Sequence, residues 1–473
     1  MHPLLPKLSQ ILTTFGLPLV ACLGILFLGK PEMLAGIAAA SMTVLLALMG
    51  RERFLAIALG IALTIGITRP GSFPFDFITL YHLPLGPLSP LAGGMSIALL
   101  CSLAYLVTGP MTTPRQPGDL PLMGFGLMLA LSIPIALWNG IHLSIIAFES
   151  VALLMISVFV AVRVALRQSK AFLPTLIATC LLGNGLLMVL SFLGRASGSY
   201  RLGINLLSVM LTAVLLPHYW KWHRKRIFAL QGAFALAFMA ATNAAGLVGG
   251  MLGSAAISFA HWKRGRKELD RKLIFPSIIA ICLLVGLAAT PPVFNSVIRP
   301  GLTQLLGPFG IAGDSPSVAH DQVSNLARLL QYRGALLFAQ EYPLGGGLGA
   351  GLSWYTSFPT LVAKPSYDTL PENIGDLGSP YLSHVMDSTY FWLLTRTGVQ
   401  GLLAFLVLLA LVVRHAFKGM KTGTSNPLAV ASGAVVLAFA VSGLFQSNLI
   451  SPDHALPFWV AMAIATSGER TDA

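Results

Sequence analysis

The chain has 473 residues, of which 55% are hydrophobic and only 10% charged, against roughly 25% charged in an ordinary soluble domain. A water-soluble fold is excluded, because so apolar a chain lacks the polar surface to stay dispersed. The net charge of +13 would suit a nucleic-acid binder, but the positions of the basic residues point elsewhere.

In chain order, apolar runs fall near residues 8–28, 34–50, 54–68, 91–109, 121–138, 144–162, 171–193, 204–220, 227–243, 245–261, 273–290, 389–413, 428–447 and 456–468. A span needs about 20 apolar residues, and a bilayer core forces each to satisfy its own backbone as a helix. The expected fold is therefore all-α: a polytopic integral membrane helical bundle of about fourteen spans. It divides into membrane helices 1–11 (residues 1–290), one large loop (291–388) and helices 12–14 (389–473). The first run, Ile11 to Leu28, is long enough to span and needs no cleavage as a signal peptide. The run from 227 to 261 reads as two short helices meeting at Asn243–Gly246. Cys22, Cys101, Cys180 and Cys282 all fall inside apolar runs and read as small core residues.

With both termini cytoplasmic, the basic clusters fall on cytoplasmic turns. They are Arg51/Arg53, Arg163/Arg167/Lys170, Lys221/Arg224/Lys225/Arg226, Lys263 to Lys272, and Arg414/Lys418/Lys421. With Lys7, Arg115 and Arg470 they account for 21 of the 30 Lys and Arg. That asymmetry follows the positive-inside rule and makes the charge a topology signal, with no nucleic acid as partner.

The loop 291–388 stands out, since loops of such length are usually functional or disordered. It is rich in Pro, Gly and Ser near 307–318 and 364–380. Between these stretches, Gln322 to Gln340 reads as an amphipathic helix with Leu326, Leu329, Leu330, Leu336 and Leu337 at helical spacing. Glu341–Tyr342–Pro343 ends it. The glycines of LGGGLGAG then allow the backbone to turn close to a ligand or another helix.

Three segments carry a resemblance. Arg328 is followed by this apolar helix, Pro343–Leu344 and the turn Gly345–Gly349. SHVMDSTYFWLLTRTGVQGLL (383–403) re-enters the membrane with Asp387, Ser388, Tyr390, Leu393–Leu394, and Gly398 with Gly401. Arg201–Leu202–Gly203–Ile204–Asn205 lies at an outer helix mouth. In this order, and on one expected side, they resemble the superfamily of O-antigen ligases and Wzy-type polysaccharide polymerases, membrane glycosyltransferases of GT-C type. The small-residue stretch 241–250 is similar to the family's as well. Ligases of the superfamily carry His where this chain has Asp387, with His384 one turn earlier, which favours the polymerase branch.

The resemblance implies an inner-membrane enzyme joining undecaprenyl-diphosphate-linked repeat units into exopolysaccharide or O-antigen at the periplasmic face. The implied partners are that glycan donor, a glycan or lipid-linked acceptor, membrane lipids, and flippase and chain-length regulator proteins. Arg201, Arg328 and Arg333 are the expected donor-diphosphate ligands, because a guanidinium binds phosphate oxygens in pairs and keeps its charge. Asp387 or His384 would orient or deprotonate the acceptor hydroxyl. Arg396, Asn205 and Tyr390 are expected supporting residues. The loop's carboxylates are scattered, so no metal and no other cofactor is expected.

Simpler readings stand beside these. Arg201 fits an interface anchor next to Tyr200, and Arg328 a solvated helix charge. Arg333, five residues on, lies roughly 140° around the helix from Arg328. Asp387 fits a helix cap, and His384 a plain loop histidine. Trp354 and Tyr355 fit either sugar stacking or the interface belt. Arg396 fits a buried ion pair, with Glu149 its natural partner, since charges at membrane depth are costly alone. Two other activities stay open: a ligase transferring glycan to lipid A-core, and a lipid-linked oligosaccharide flippase or transporter.

Overall fold

The computed structural model describes residues 50–64, 94–108, 119–141, 143–180, 182–183, 331–350, 388–418, 427–444, 449 and 452–467. These residues are helices and the turns that join them. In chain order the helices are α1 (Arg51–Leu63), α2 (Gly94–Val107), α3 (Asp119–Trp138), α4 (Leu143–Glu149), α5 (Val151–Gln168), α6 (172–180), α7 (331–341), α8 (Thr389–Ala416), α9 (Pro427–Ser442) and α10 (Pro452–Thr466). Among the described residues α3, α5 and α8 are long and apolar enough to cross a membrane, with mean hydropathy of 2.1, 1.9 and 2.0. The described part is thus a helical bundle compatible with a membrane protein.

The bundle centres on α10, which is buried from Ala455 to Thr466. Its alanines (Ala455, Ala461, Ala463, Ala465) let neighbouring helices approach closely, as small residues do between membrane helices. Around it α1 packs on α2, α2 on α5, α5 on α10, α10 on α9, α9 on α8 and α8 on α3. Aromatic rings lock the centre. Phe439 stacks on Phe458 at 3.8 Å, Phe125 meets Phe405 at 5.2 Å, and Trp459 meets Phe159 edge-on at 6.2 Å. On the outside, α3 exposes Leu120, Met123, Leu127 and Leu131, and α8 exposes Leu403, Leu406, Val407 and Leu411. Such apolar stripes on helices long enough to span are what hydrocarbon, rather than water, would wet.

Helix ends follow polar contacts that a hydropathy window does not register. The run expected from 54 begins at Arg51, and that expected from 456 begins at Pro452. The expected single span 144–162 is two helices, α4 and α5, meeting at Ser150, and the second runs on to Gln168. The run expected to 447 ends as a helix at Ser442, where Gly443 and Leu444 turn. Most consequential is the expected continuous span 389–413. It is interrupted at Gly398, whose φ of 72° and ψ of −171° are not helical. Beyond the break, 399–416 at about 1.5 Å per residue covers about 27 Å, close to the hydrocarbon thickness of about 30 Å.

Polar contacts join the helix ends at either end of the described bundle. Arg51, opening α1, donates to Gln168 at the end of α5 (2.7 Å), and Tyr105, late in α2, donates to the same oxygen (2.8 Å). Asp119, opening α3, pairs with Arg163 near the end of α5 at 2.5 Å. At the opposite end Thr389, opening α8, donates its N–H to Gly443 O after α9 (2.8 Å).

A candidate site where a glycine turn closes a broken helix

The site begins with proline. Helix α7 ends at Glu341, two residues before Pro343, because proline lacks the N–H and disfavours helical backbone in the residue before it. Tyr342 N closes the last turn on Phe338 O at 2.7 Å. Gly345, Gly347 and Gly349 then take φ of 82°, 91° and 84°, in the left-handed region that side chains disfavour. The turn lies buried within the bundle: Gly345 to Ala350 are all buried.

The turn meets the break in α8. Gly346 N donates to Thr395 O (2.8 Å), Gly347 N to Arg396 O (3.0 Å), and Val399 N to Pro343 O (3.2 Å). These carbonyls and this N–H lie around the break, where an intact helix would have paired its own groups. One irregular segment thus satisfies the other. On its far side the turn rests on α3: Leu348 N donates to Ser132 O (3.2 Å), and Asn139 Nδ2 donates to Gly346 O (3.0 Å). The approach is so close that a Cβ on Gly347 would collide with the backbone of Ala136, and one on Gly398 with Pro343 and Leu344.

A buried ion pair sits beside the turn. Arg396 is 1% exposed and Glu149, closing α4, 3%. Arg396 Nη2 reaches Glu149 Oε1 at 2.9 Å, and Nε lies 3.2 and 3.1 Å from the two carboxylate oxygens. Gly349 N donates to Glu149 Oε2 at 2.5 Å, and Arg396 Nη1 to Thr395 Oγ1 at 2.9 Å. Glu149 therefore holds both the second motif segment, through Arg396, and the glycine turn of the first.

Of the expected site residues, Arg201, Asn205, Arg328, His384 and Asp387 lie outside the described residues, as do Trp354 and Tyr355. Arg333 is on the exposed side of α7. Tyr390 is half-buried and donates its hydroxyl to Ala440 O at 2.6 Å, tying α8 to α9. Arg396 is bound up with Glu149. The structure brings together the turn 343–349 and the segment 388–403, which the sequence singled out separately. Helix α7 follows: Tyr332 stacks on Phe391 at 4.5 Å and donates to Leu444 O at 2.7 Å, while Ser388 Oγ donates to Gly443 O at 3.1 Å. Ser132 and Asn139 were missed in the sequence, where one is a lone serine inside an apolar run and the other the residue just past its end.

No protein-family model matches this chain, and no curated protein matches it.

Proposed function

We propose that the chain is a polysaccharide polymerase that joins undecaprenyl-diphosphate-linked repeat units at the periplasmic face of a bacterial inner membrane. The observation that carries this reading is the junction just described. Two segments that resemble the ligase and polymerase superfamily, read independently, are hydrogen-bonded to one another through Gly346–Thr395, Gly347–Arg396 and Pro343–Val399. Arg328 precedes Gln331 by three residues, and Asp387 directly precedes Ser388. The described residues beside them, Tyr332 and Ser388, both bond to the 443–444 turn.

In this reading Arg328 and Arg201 neutralise the diphosphate leaving group, a large term where preorganised charge faces a developing anion in a water-poor site. Asp387 orients the acceptor hydroxyl. Arg396 is not a diphosphate ligand, because Glu149 already neutralises it; it ties α8 to the glycine turn.

A transporter is the second reading, since broken helices and charges at membrane depth mark many transporter sites. In those sites the unwound backbone lines a cavity and faces a ligand. Here Thr395 O, Arg396 O and Val399 N are occupied by the chain's own glycine turn, which favours the enzyme. Deletion in the native host, with sizing of surface polysaccharide, tests the proposal. Loss of long chains with single repeat units retained is expected. Long chains stranded on the carrier lipid would make it a ligase, and unchanged polysaccharide would sink both.

A further inference from the structure

The opposite end of the bundle carries a different arrangement. There the start of α1, the end of α2, the start of α3 and the end of α5 are joined through Gln168 and through Asp119–Arg163. The end of α8 lies close by, with His415 within electrostatic reach of Arg163 and Lys418. The two acids in these helix ends are already engaged, Glu52 with Arg51 at 3.0 Å and Asp119 with Arg163. Arg53, Arg167, Arg414 and Lys418 add further cations at these helix ends.

Arg167 is the informative one. It follows Arg163 by about one helical turn and lies within electrostatic reach of both Arg163 and Asp119. Its Nη1 is buried, with no hydrogen-bond partner among the described residues. Asp119 offsets part of the repulsion between the two guanidiniums, but the buried Nη1 left without an acceptor is costly. That penalty vanishes if an anion with several acceptor oxygens sits there. A phosphate suits a planar guanidinium fork best. The helix ends lie where apolar spans give way to basic turns, the level at which lipid phosphates stand.

We propose that this end of the bundle binds the phosphate headgroup of an anionic membrane lipid through Arg167, with Lys418 contributing charge. The site stands apart from the glycine-turn junction, and its fate is independent of the polymerase reading.

Native mass spectrometry of the purified full chain, titrated with phosphatidylglycerol or phosphatidylcholine, tests it. Phosphatidylglycerol binds at least about tenfold more tightly, and Arg167→Gln and Lys418→Gln each weaken the first bound copy about fivefold, the effect of roughly one basic residue at a charged surface. Phosphatidylcholine binding stays unchanged in both variants. Should Arg167→Gln fail to fold, Lys418→Gln decides alone. Equal affinity for the two lipids, or phosphatidylglycerol binding unchanged in the folded variants, overturns the proposal. So does displacement of phosphatidylglycerol by millimolar inorganic phosphate, which would make the ligand free phosphate from solution.

Discussion

Glu149 and Arg396 stand 247 residues apart in sequence and meet as a buried ion pair, with the Arg396 guanidinium 2.9 to 3.2 Å from the carboxylate oxygens. The pair does more than neutralise two charges. Because Glu149 also accepts from Gly349 N, it couples the turn after Pro343 to the helix that restarts at Val399.

Removing one partner strands the other in an apolar interior, a loss of about 3–5 kcal/mol. Arg396→Met should therefore lower the thermal unfolding midpoint of the detergent-purified protein sharply. Adding Glu149→Gln removes the stranded charge while keeping an acceptor for Gly349. The double variant should be more stable than Arg396→Met alone, a non-additivity expected only for residues in direct contact. If the second substitution deepens the loss instead, the two side chains do not act as a pair.

The glycines make a sharper test of the junction. Gly347→Ala and Gly398→Ala each demand a left-handed backbone from alanine, at about 1–3 kcal/mol, and drive its Cβ into another segment's backbone. Both should reduce the amount of folded protein in membranes. Gly124→Ala, in α3 with nothing near its added methyl, should be neutral or slightly stabilising, since Ala is the better helix former by up to about 1 kcal/mol. Membrane abundance measured on an epitope tag distinguishes the three; equal abundance would mean the turn is not seated on the break.

Sidedness follows from the basic residues. Cysteines placed at Ser366 and Ser197 should react with a membrane-impermeant maleimide in intact cells, and one at Gly265 should not. Labelling of Gly265 with protection of Ser366 would invert the topology and remove the enzyme reading with it.

At the chemical step, Asp387→Asn keeps size and helix-capping ability but removes charge. It should lose most polymer formation with membrane abundance intact, whereas His384→Ala loses less. The reverse result would move the role one helical turn, to His384.

Much of the scaffold was legible. Apolar runs located most of the described helices, an amphipathic pattern located α7 and Pro343 its end, and the cost of an isolated charge at membrane depth nominated Glu149 for Arg396 before any contact was known. The break at Gly398 was not legible. A hydropathy window registers side chains, and the polar ones in TRTGVQG (Thr395, Arg396, Thr397 and Gln400) do not reveal an unpaired backbone. The break is stable only because Gly346, Gly347 and Pro343 supply the missing hydrogen bonds, and those residues belong to what composition marks as a loop. Ser132 and Asn139 escaped notice for the same reason: their value lies in the distant turn they meet.

The most direct test of the proposed activity is reconstitution. The purified chain in vesicles is supplied with undecaprenyl-diphosphate-linked repeat units, and released undecaprenyl diphosphate is measured with glycan length. The wild type should give a ladder of polymers with one carrier released per linkage, and Arg328→Ala should give neither. A folded wild-type protein that releases no carrier, yet moves the lipid-linked units across the vesicle membrane, would contradict the polymerase assignment and make this chain a transporter.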